Sequence, residues 1–318
     1  MSCVYKGQVL ETELSKNARG GTEMMRDRLL RNVPRTLLEK YAIHLSRPRQ
    51  LHFDVKNIFW CHDLPDDPEN KTLENDGWRK FDFFVFVSQW QRDGYIEKYK
   101  IPYPICAVIP NAIETTHTRR EKPTDKIRFI YHTTPHRGLT ILYPIFEALC
   151  KEHDNIELDV FSSFEVYGWK QRDAKFQNVF DRLNAHPKIN YHGAVDNSTV
   201  LDYLQNRSNI FLYPCVWKET SCIAMIEAMR SSCMVIHPNL GALSETSEGM
   251  SVMYDYTEDI NRHAKISYQT TNHILNIEKS NKGFINNTAN KEKYAMEKNS
   301  INTFKSKWIS ILENLKDG

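Results

Sequence analysis

The chain of 318 residues is poor in the features that mark membrane, secreted and nucleic-acid-coating proteins. No stretch approaches the roughly 20 consecutive apolar residues that cross a bilayer, and the N-terminus lacks the apolar core of a secretory leader. Cysteine is sparse, and its seven copies are scattered, odd in number and never set as Cys-x-x-Cys. That usage fits reduced, mostly buried thiols in a cytoplasmic protein rather than a disulfide framework or a zinc ribbon. Charge of one sign is also missing: 42 Lys+Arg stand against 40 Asp+Glu. Near-neutrality gives no ground for a nucleic-acid partner, so any partner must be sought locally.

What is present is an alternation of short β-branched and aromatic runs with helical patterns, the mark of βαβ units and parallel sheets. The length suits two such cores. Strands are expected at Ala42–Leu45, Asn57–Cys61, Phe83–Ser88 and Ile105–Ile109, with helices from Thr22 to Asn32 and from Gln89 to Tyr99. A polar stretch from Asn111 to Asp125 reads as a linker. Strands then recur at Ile127–His132, Ile156–Phe161, Ile189–His192, Ile210–Tyr213, Met234–His237 and Ser251–Tyr254. The expected division is 1–118 for a short first lobe, 119–285 for a fuller second lobe and 286–318 for closing helices. In the last of these, Trp308, Ile309, Ile311, Leu312 and Leu315 share one helical face.

The segment most open to chemistry is Tyr213-Pro-Cys-Val-Trp-Lys-Glu219-Thr-Ser-Cys-Ile-Ala-Met-Ile-Glu227, which leaves an apolar strand and turns helical. With Glu219 in the loop and Glu227 two turns inside the helix, the acids stand up to about 12 Å apart at 1.5 Å rise per residue. The backbone N–H groups of Thr220, Ser221, Cys222 and Ile223 would then be the open donors of a helix N-terminus, suited to a diphosphate, with Thr220 or Ser221 as cap. The same spacing is that of an ordinary amphipathic helix with an exposed acid at each end.

Metal sites have little support. Asp63-x-x-Asp66-Asp67 follows a strand, but Pro65 and Pro68 make it a turn. His132 and His136 straddle a strand end and lack a third ligand. The Thr22–Asn32 helix sets Arg26, Arg28 and Arg31 beside Met24, Met25, Leu29 and Leu30, a basic amphipathic pattern compatible with peripheral membrane contact. It is equally the pattern of a helix with a solvated charged face.

Taken in order, these motifs resemble retaining glycosyltransferase family 4, the glycosyl transferases group 1 of GT-B fold. The carriers are Arg19-Gly20-Gly21-Thr22-Glu23, Phe86-Val-Ser88, Val108-Ile-Pro-Asn111, Thr133-Thr-Pro-His-Arg137-Gly-Leu, His192-Gly-Ala-Val195, Glu219-x7-Glu227, Gly241-Ala-Leu-Ser-Glu245 and Phe304-x3-Trp308. The resemblance implies two Rossmann-like doubly wound lobes facing a cleft, with a shortened N-terminal lobe. It also implies transfer of a hexose-like sugar from a nucleotide-diphosphate donor to an acceptor hydroxyl, with retention and without metal or cofactor. The acceptor is left open among glycan, lipid-linked and small molecules.

By the same resemblance Glu219 holds donor-sugar hydroxyls, Glu227 the ribose, and Arg137 the departing diphosphate. His62 lies near the reacting face of the sugar, and further donor contacts fall at Gly21, Thr133, Val195, Thr220, Ser221, Cys222 and Ile223. Read without the family, Arg137 is a solvated loop charge and His62 an ordinary loop histidine. Three features depart from the pattern: His132 and Tyr131 stand five and six positions before Arg137, where a second basic residue is common, Ser221-Cys222 replaces Phe-Gly and Ser232 replaces Gly, and the first lobe is short. A catalytically degenerate protein that binds a nucleotide-sugar or a partner is therefore the alternative reading. A sugar-nucleotide epimerase would need an acid/base cluster that is not evident.

Overall fold

The computed structural model describes residues 3–10, 20–48, 50–113, 121–287 and 297–317. The chain is α/β and divides into two compact units. Unit one comprises Met1–Glu114, Glu219–Ser221 and Lys298–Gly318; unit two comprises Thr115–Lys218 and Cys222–Glu297. Much of the expected linker, residues 114–120, lies outside the described residues. Among the described residues no helix is long and apolar enough to cross a membrane.

The sheet of unit one runs β2-β1-β3-β4-β5-β6, with β1 at Cys3–Tyr5, β2 at Gln8–Leu10, β3 at Tyr41–Leu45, β4 at Lys56–Trp60, β5 at Phe83–Phe86 and β6 at Cys106–Val108. Strands β3 to β6 are parallel, and every residue of β3 is buried, as expected of a strand covered on both faces. The edge pair β1–β2 is an antiparallel hairpin absent from the sequence expectation. Its strands are too short to show alternation, and its signature is the turn itself: Lys6 and Gly7 take φ of 49° and 72°. Among the described residues the first unit thus has as many strands as the second, not the few that its length suggested.

Two details of unit one bear on the site. Helix α1, Gly21–Asn32, begins one residue earlier than expected, and Glu23 accepts a hydrogen bond from the Gly20 N–H at 3.1 Å. After a short α2, Arg35–Leu38, helix α3, Gln89–Tyr99, is capped by Ser88 Oγ accepting from Gln91 N–H at 3.1 Å. The Gln91 amide in turn donates to the Asp63 carbonyl at 2.7 Å, tying the Val-Ser segment to the loop after β4.

The sheet of unit two is wholly parallel, in the order β12-β11-β10-β7-β8-β9. Its strands are β7 Ile127–Tyr131, β8 Ile156–Val160, β9 Ile189–Tyr191, β10 Ile210–Leu212, β11 Met234–Pro238 and β12 Val252–Tyr254. Helices α4 Leu139–Leu149, α5 Gln177–Ala185, α6 Asn197–Asn206, α7 Ile223–Arg230, α8 Leu243–Ser247 and α9 Ile260–Ser280 belong to the same unit. The chain winds from β7 outward to β9, then returns across to β10 on the other side of β7. The strand order therefore reverses between β7 and β10, and ligands of such sheets bind outside the carboxyl ends at that reversal.

The final helix α10, Ile301–Asp317, groups with unit one. It buries Phe304, Trp308 and Leu312, spaced four apart, with Trp308 edge-on to Trp60 at 4.8 Å between centroids. Of the face expected there, Ile309, Ile311 and Leu315 are half-buried.

Candidate functional site

The loops leaving β7 and β10 are forced together by one glycine. Gly138 takes φ of 134°, and a Cβ on it would stand 2.2 Å from the Pro214 carbonyl oxygen. Only an absent side chain permits that approach. One residue away, the Val216 N–H donates to the Arg137 carbonyl at 3.3 Å. Arg137 closes a 3-10 turn, Pro135–Arg137, and its Nε is buried. It therefore sits at the carboxyl end of β7 rather than on a solvated surface loop.

Glu227 is buried on α7, where the Asn197 amide at the start of α6 donates to both carboxylate oxygens, at 3.2 and 3.4 Å. It is not an exposed acid. The His132 side chain, also buried, donates through Nε2 to the Ala224 carbonyl at 3.0 Å and stands 3.9 Å from Glu227 Oε2. Burial pushes its pKa down to about 4.

The start of α7 differs from the expectation. The helix opens at Ile223 with Cys222 as N-cap and no side-chain cap, so its open N–H donors are those of Ile223, Ala224 and Met225. Glu227 lies one turn inside, not two. Thr220 does not cap: its hydroxyl donates to the His62 carbonyl at 2.9 Å. Nor does Ser221, whose carbonyl accepts from Asn111 Nδ2 at 3.0 Å. With buried Glu219, these residues form the Glu219–Ser221 segment that groups with unit one.

Around the end of β7 several buried polar atoms lack a hydrogen-bond partner: Thr133 Oγ1, Thr134 Oγ1, His132 Nδ1 and His136 Nδ1. Each such atom costs about 1–3 kcal/mol unless something satisfies it. The His136 ring stacks on Phe164 at 5.2 Å and meets Trp217 edge-on at 5.1 Å. Burial, with Arg137 and Arg172 nearby, pushes its pKa down to about 4. Val195 is half-buried in the loop between β9 and α6, two residues before Asn197.

In unit one, His62 follows β4 with its N–H on Ser46 Oγ at 2.9 Å and its ring 4.7 Å from that of Trp60. Its Nε2 is buried without a partner, and burial pushes the pKa down to about 3. The neighbouring acids are taken: Arg47 pairs with Asp63 and Asp67 at 2.9 Å each, and Lys98 with Asp66 at 3.0 Å. Gly21 opens α1 instead of lying in a loop, and Arg19 is outside the described residues. The basic face of α1 is also spent in part: Arg28 is buried and donates to the Ala112 carbonyl, while Arg26 pairs with Asp27 at 2.8 Å.

Two contributors escaped the sequence reading. Gly138 was seen only as part of a motif, and its steric role depends on Pro214, 76 positions away. Asn197 belongs to no motif singled out in the sequence, although Asp196-Asn197-Ser198 is a helix-start signal.

Residues 113–248, from the end of unit one through β7 to α8, match the family described as Glycosyl transferases group 1. Over 210 residues the chain is 22% identical to the phosphatidylinositol N-acetylglucosaminyltransferase GPI3 subunit of Saccharomyces cerevisiae, covering 63% of this chain and 44% of that protein. Among solved structures, a glycosyltransferase from Rickettsia africae is 14% identical with a TM-score of 0.66, over 96% of this chain and 84% of its own. A mutant of S. aureus TarM in complex with fondaparinux, alpha-GlcNAc-glycerol and UDP is 16% identical with a TM-score of 0.60, over 82% of this chain and 51% of its own. The chain spans about half the length of the yeast protein and of TarM. The fold is that of GT-B glycosyltransferases: two Rossmann-like units, the second carrying the match to glycosyl transferases group 1.

Proposed function

We propose that the chain is a glycosyltransferase that moves a sugar from a nucleotide-diphosphate donor to an acceptor hydroxyl. The observation that carries this reading is the set of buried, unpartnered groups at the β7 end, on Thr133, Thr134, His132 and His136, beside Arg137 and Glu227 at the reversal of the sheet. A diphosphate and its ribose supply the donors and acceptors that these groups lack.

Departure of the nucleotide breaks the bond from sugar C1 to the phosphate oxygen and develops negative charge on the diphosphate. Arg137 meets that charge with a permanent cation, joined by the first N–H groups of α7. Glu227, oriented by Asn197, accepts hydrogen bonds from the ribose hydroxyls. Val195, Cys222 and Ile223 complete the donor contacts of unit two. The new bond joins C1 to the acceptor oxygen, on the face the nucleotide leaves, and the acceptor proton passes to the departing phosphate oxygen. Retention and metal independence belong to this proposal; Asp63 and Asp67, already paired with Arg47, support the second.

The yeast relative is an N-acetylglucosaminyltransferase subunit and the TarM structure holds UDP, so UDP-N-acetylglucosamine heads the list of donors to test. A thermal-shift screen of UDP-, GDP-, ADP- and dTDP-sugars, with and without EDTA, tests the proposal. One of them should raise the midpoint independently of EDTA and be turned over with a glycan or lipid extract. Stabilisation without any turnover would make the chain a binder, and no stabilisation by any of them would sink the reading.

A further inference from the structure

We propose that His132 is the second cation of the diphosphate site, taking up a proton on Nδ1 as the diphosphate binds. The inference rests on the donor-binding reading above and adds to it a charge that the free protein does not carry.

The geometry fixes the ring. Because a carbonyl can only accept, the contact of Nε2 with the Ala224 oxygen at 3.0 Å requires the hydrogen on Nε2. In the neutral ring Nδ1 is then a bare acceptor, and it is buried with no donor facing it. The hydroxyls of the next two residues, Thr133 and Thr134, are likewise buried and unpartnered. The charged group facing the ring from α7 is Glu227, 3.9 Å from Nε2; β10 presents the Phe211 ring at 4.7 Å between centroids. A protonated His132 would therefore have one carboxylate nearby, itself already held by Asn197. That does not offset burial, which keeps the ring neutral in the free protein, with a pKa near 4.

A diphosphate changes the balance. Placed against Nδ1, it supplies a second anion and an acceptor, so a proton on Nδ1 makes a charge-assisted hydrogen bond where the neutral ring would set lone pair against lone pair. The protonated form binds the donor better, which fixes the sign of the linkage. Donor affinity weakens as pH rises between the free pKa and the raised pKa of the complex, by up to about tenfold per pH unit, and is flat outside that window.

Isothermal titration of the full chain with UDP-N-acetylglucosamine, then UDP-glucose and GDP-mannose, tests this in buffers of matched pH and different ionisation heat. A nucleotide-sugar has no titrating phosphate near neutrality, so proton uptake reports on the protein. Uptake approaching one proton at about pH 6 to 7 is expected, with the corresponding loss of affinity toward pH 8. In His132→Asn, whose amide can keep the bond to Ala224, uptake should vanish and binding weaken about tenfold. The pH dependence of the unmodified chain decides the matter even if the variant misfolds. Binding with no uptake at any of these pH values, as when a sugar hydroxyl donates to a neutral Nδ1, overturns the proposal and leaves the donor site standing. Failure of every nucleotide-sugar to bind removes both.

Discussion

The loops that leave β4 and β7 both start at the carboxyl end of a central strand, yet they differ in how densely their buried polar groups are left unpaired. After β4, Arg47 holds Asp63 and Asp67, Gln91 holds the Asp63 carbonyl, Asn70 the Leu64 carbonyl at 2.8 Å, and Tyr99 the Pro65 carbonyl at 2.7 Å. Between β4 and β5 the buried side-chain atoms left over are spread out, on His62 Nε2, Asn70 Oδ1 and Trp78 Nε1. After β7, four buried side-chain atoms within five residues, on His132, Thr133, Thr134 and His136, have no partner. A fold pays for satisfied loops with rigidity and for unsatisfied ones with stability, so the second arrangement persists where a ligand returns the lost hydrogen bonds.

That contrast can be broken most sharply at Arg137. Arg137→Ala should lower turnover by about 100–1000-fold, the usual cost of one donor to a developing anion, with little change in thermal midpoint. A rate within a few-fold of the parent would remove the β7 loop from the chemistry. Gly138→Ala comes next. The added methyl must push the Pro214 carbonyl away, so about 2 kcal/mol or more of stability should be lost in urea titrations, and donor affinity with it. A neutral substitution would show that the two loops are not locked together.

Smallest is the effect in the satisfied loop. Arg47→Met leaves Asp63 and Asp67 without their partner, and because Arg47 is a quarter exposed the cost should be about 1–2 kcal/mol. Donor affinity should stay unchanged. Loss of binding without loss of stability would erase the distinction between the two loops.

The sequence revealed the parallel strands of both sheets almost to the residue, because buried parallel strands announce themselves as continuous apolar runs such as Phe83–Phe86 and Ile210–Leu212. It missed the β1–β2 hairpin, where six strand residues and two turn residues leave no pattern to read. At the site, Arg137, Glu219 and Glu227 stood out as motif positions. Their environment did not: the buried state of Glu227 depends on Asn197, 30 positions earlier, and the orphaned Nδ1 of His132 on Ala224, 92 positions later. Local spacing also misplaced the start of α7, since the hydroxyl of Thr220 goes to His62, a partner 158 positions away, in preference to the helix. Arg28 looked like a surface charge for the same reason: its acceptor, Ala112, belongs to a distant part of unit one.

The last helix has a consequence for how the chain is made. Phe304, Trp308 and Leu312 complete the core of a unit whose strands all precede unit two along the chain. During synthesis that unit waits with Trp60 uncovered while the whole of unit two, a contiguous stretch apart from three residues, is free to fold. The half made first is therefore the half finished last.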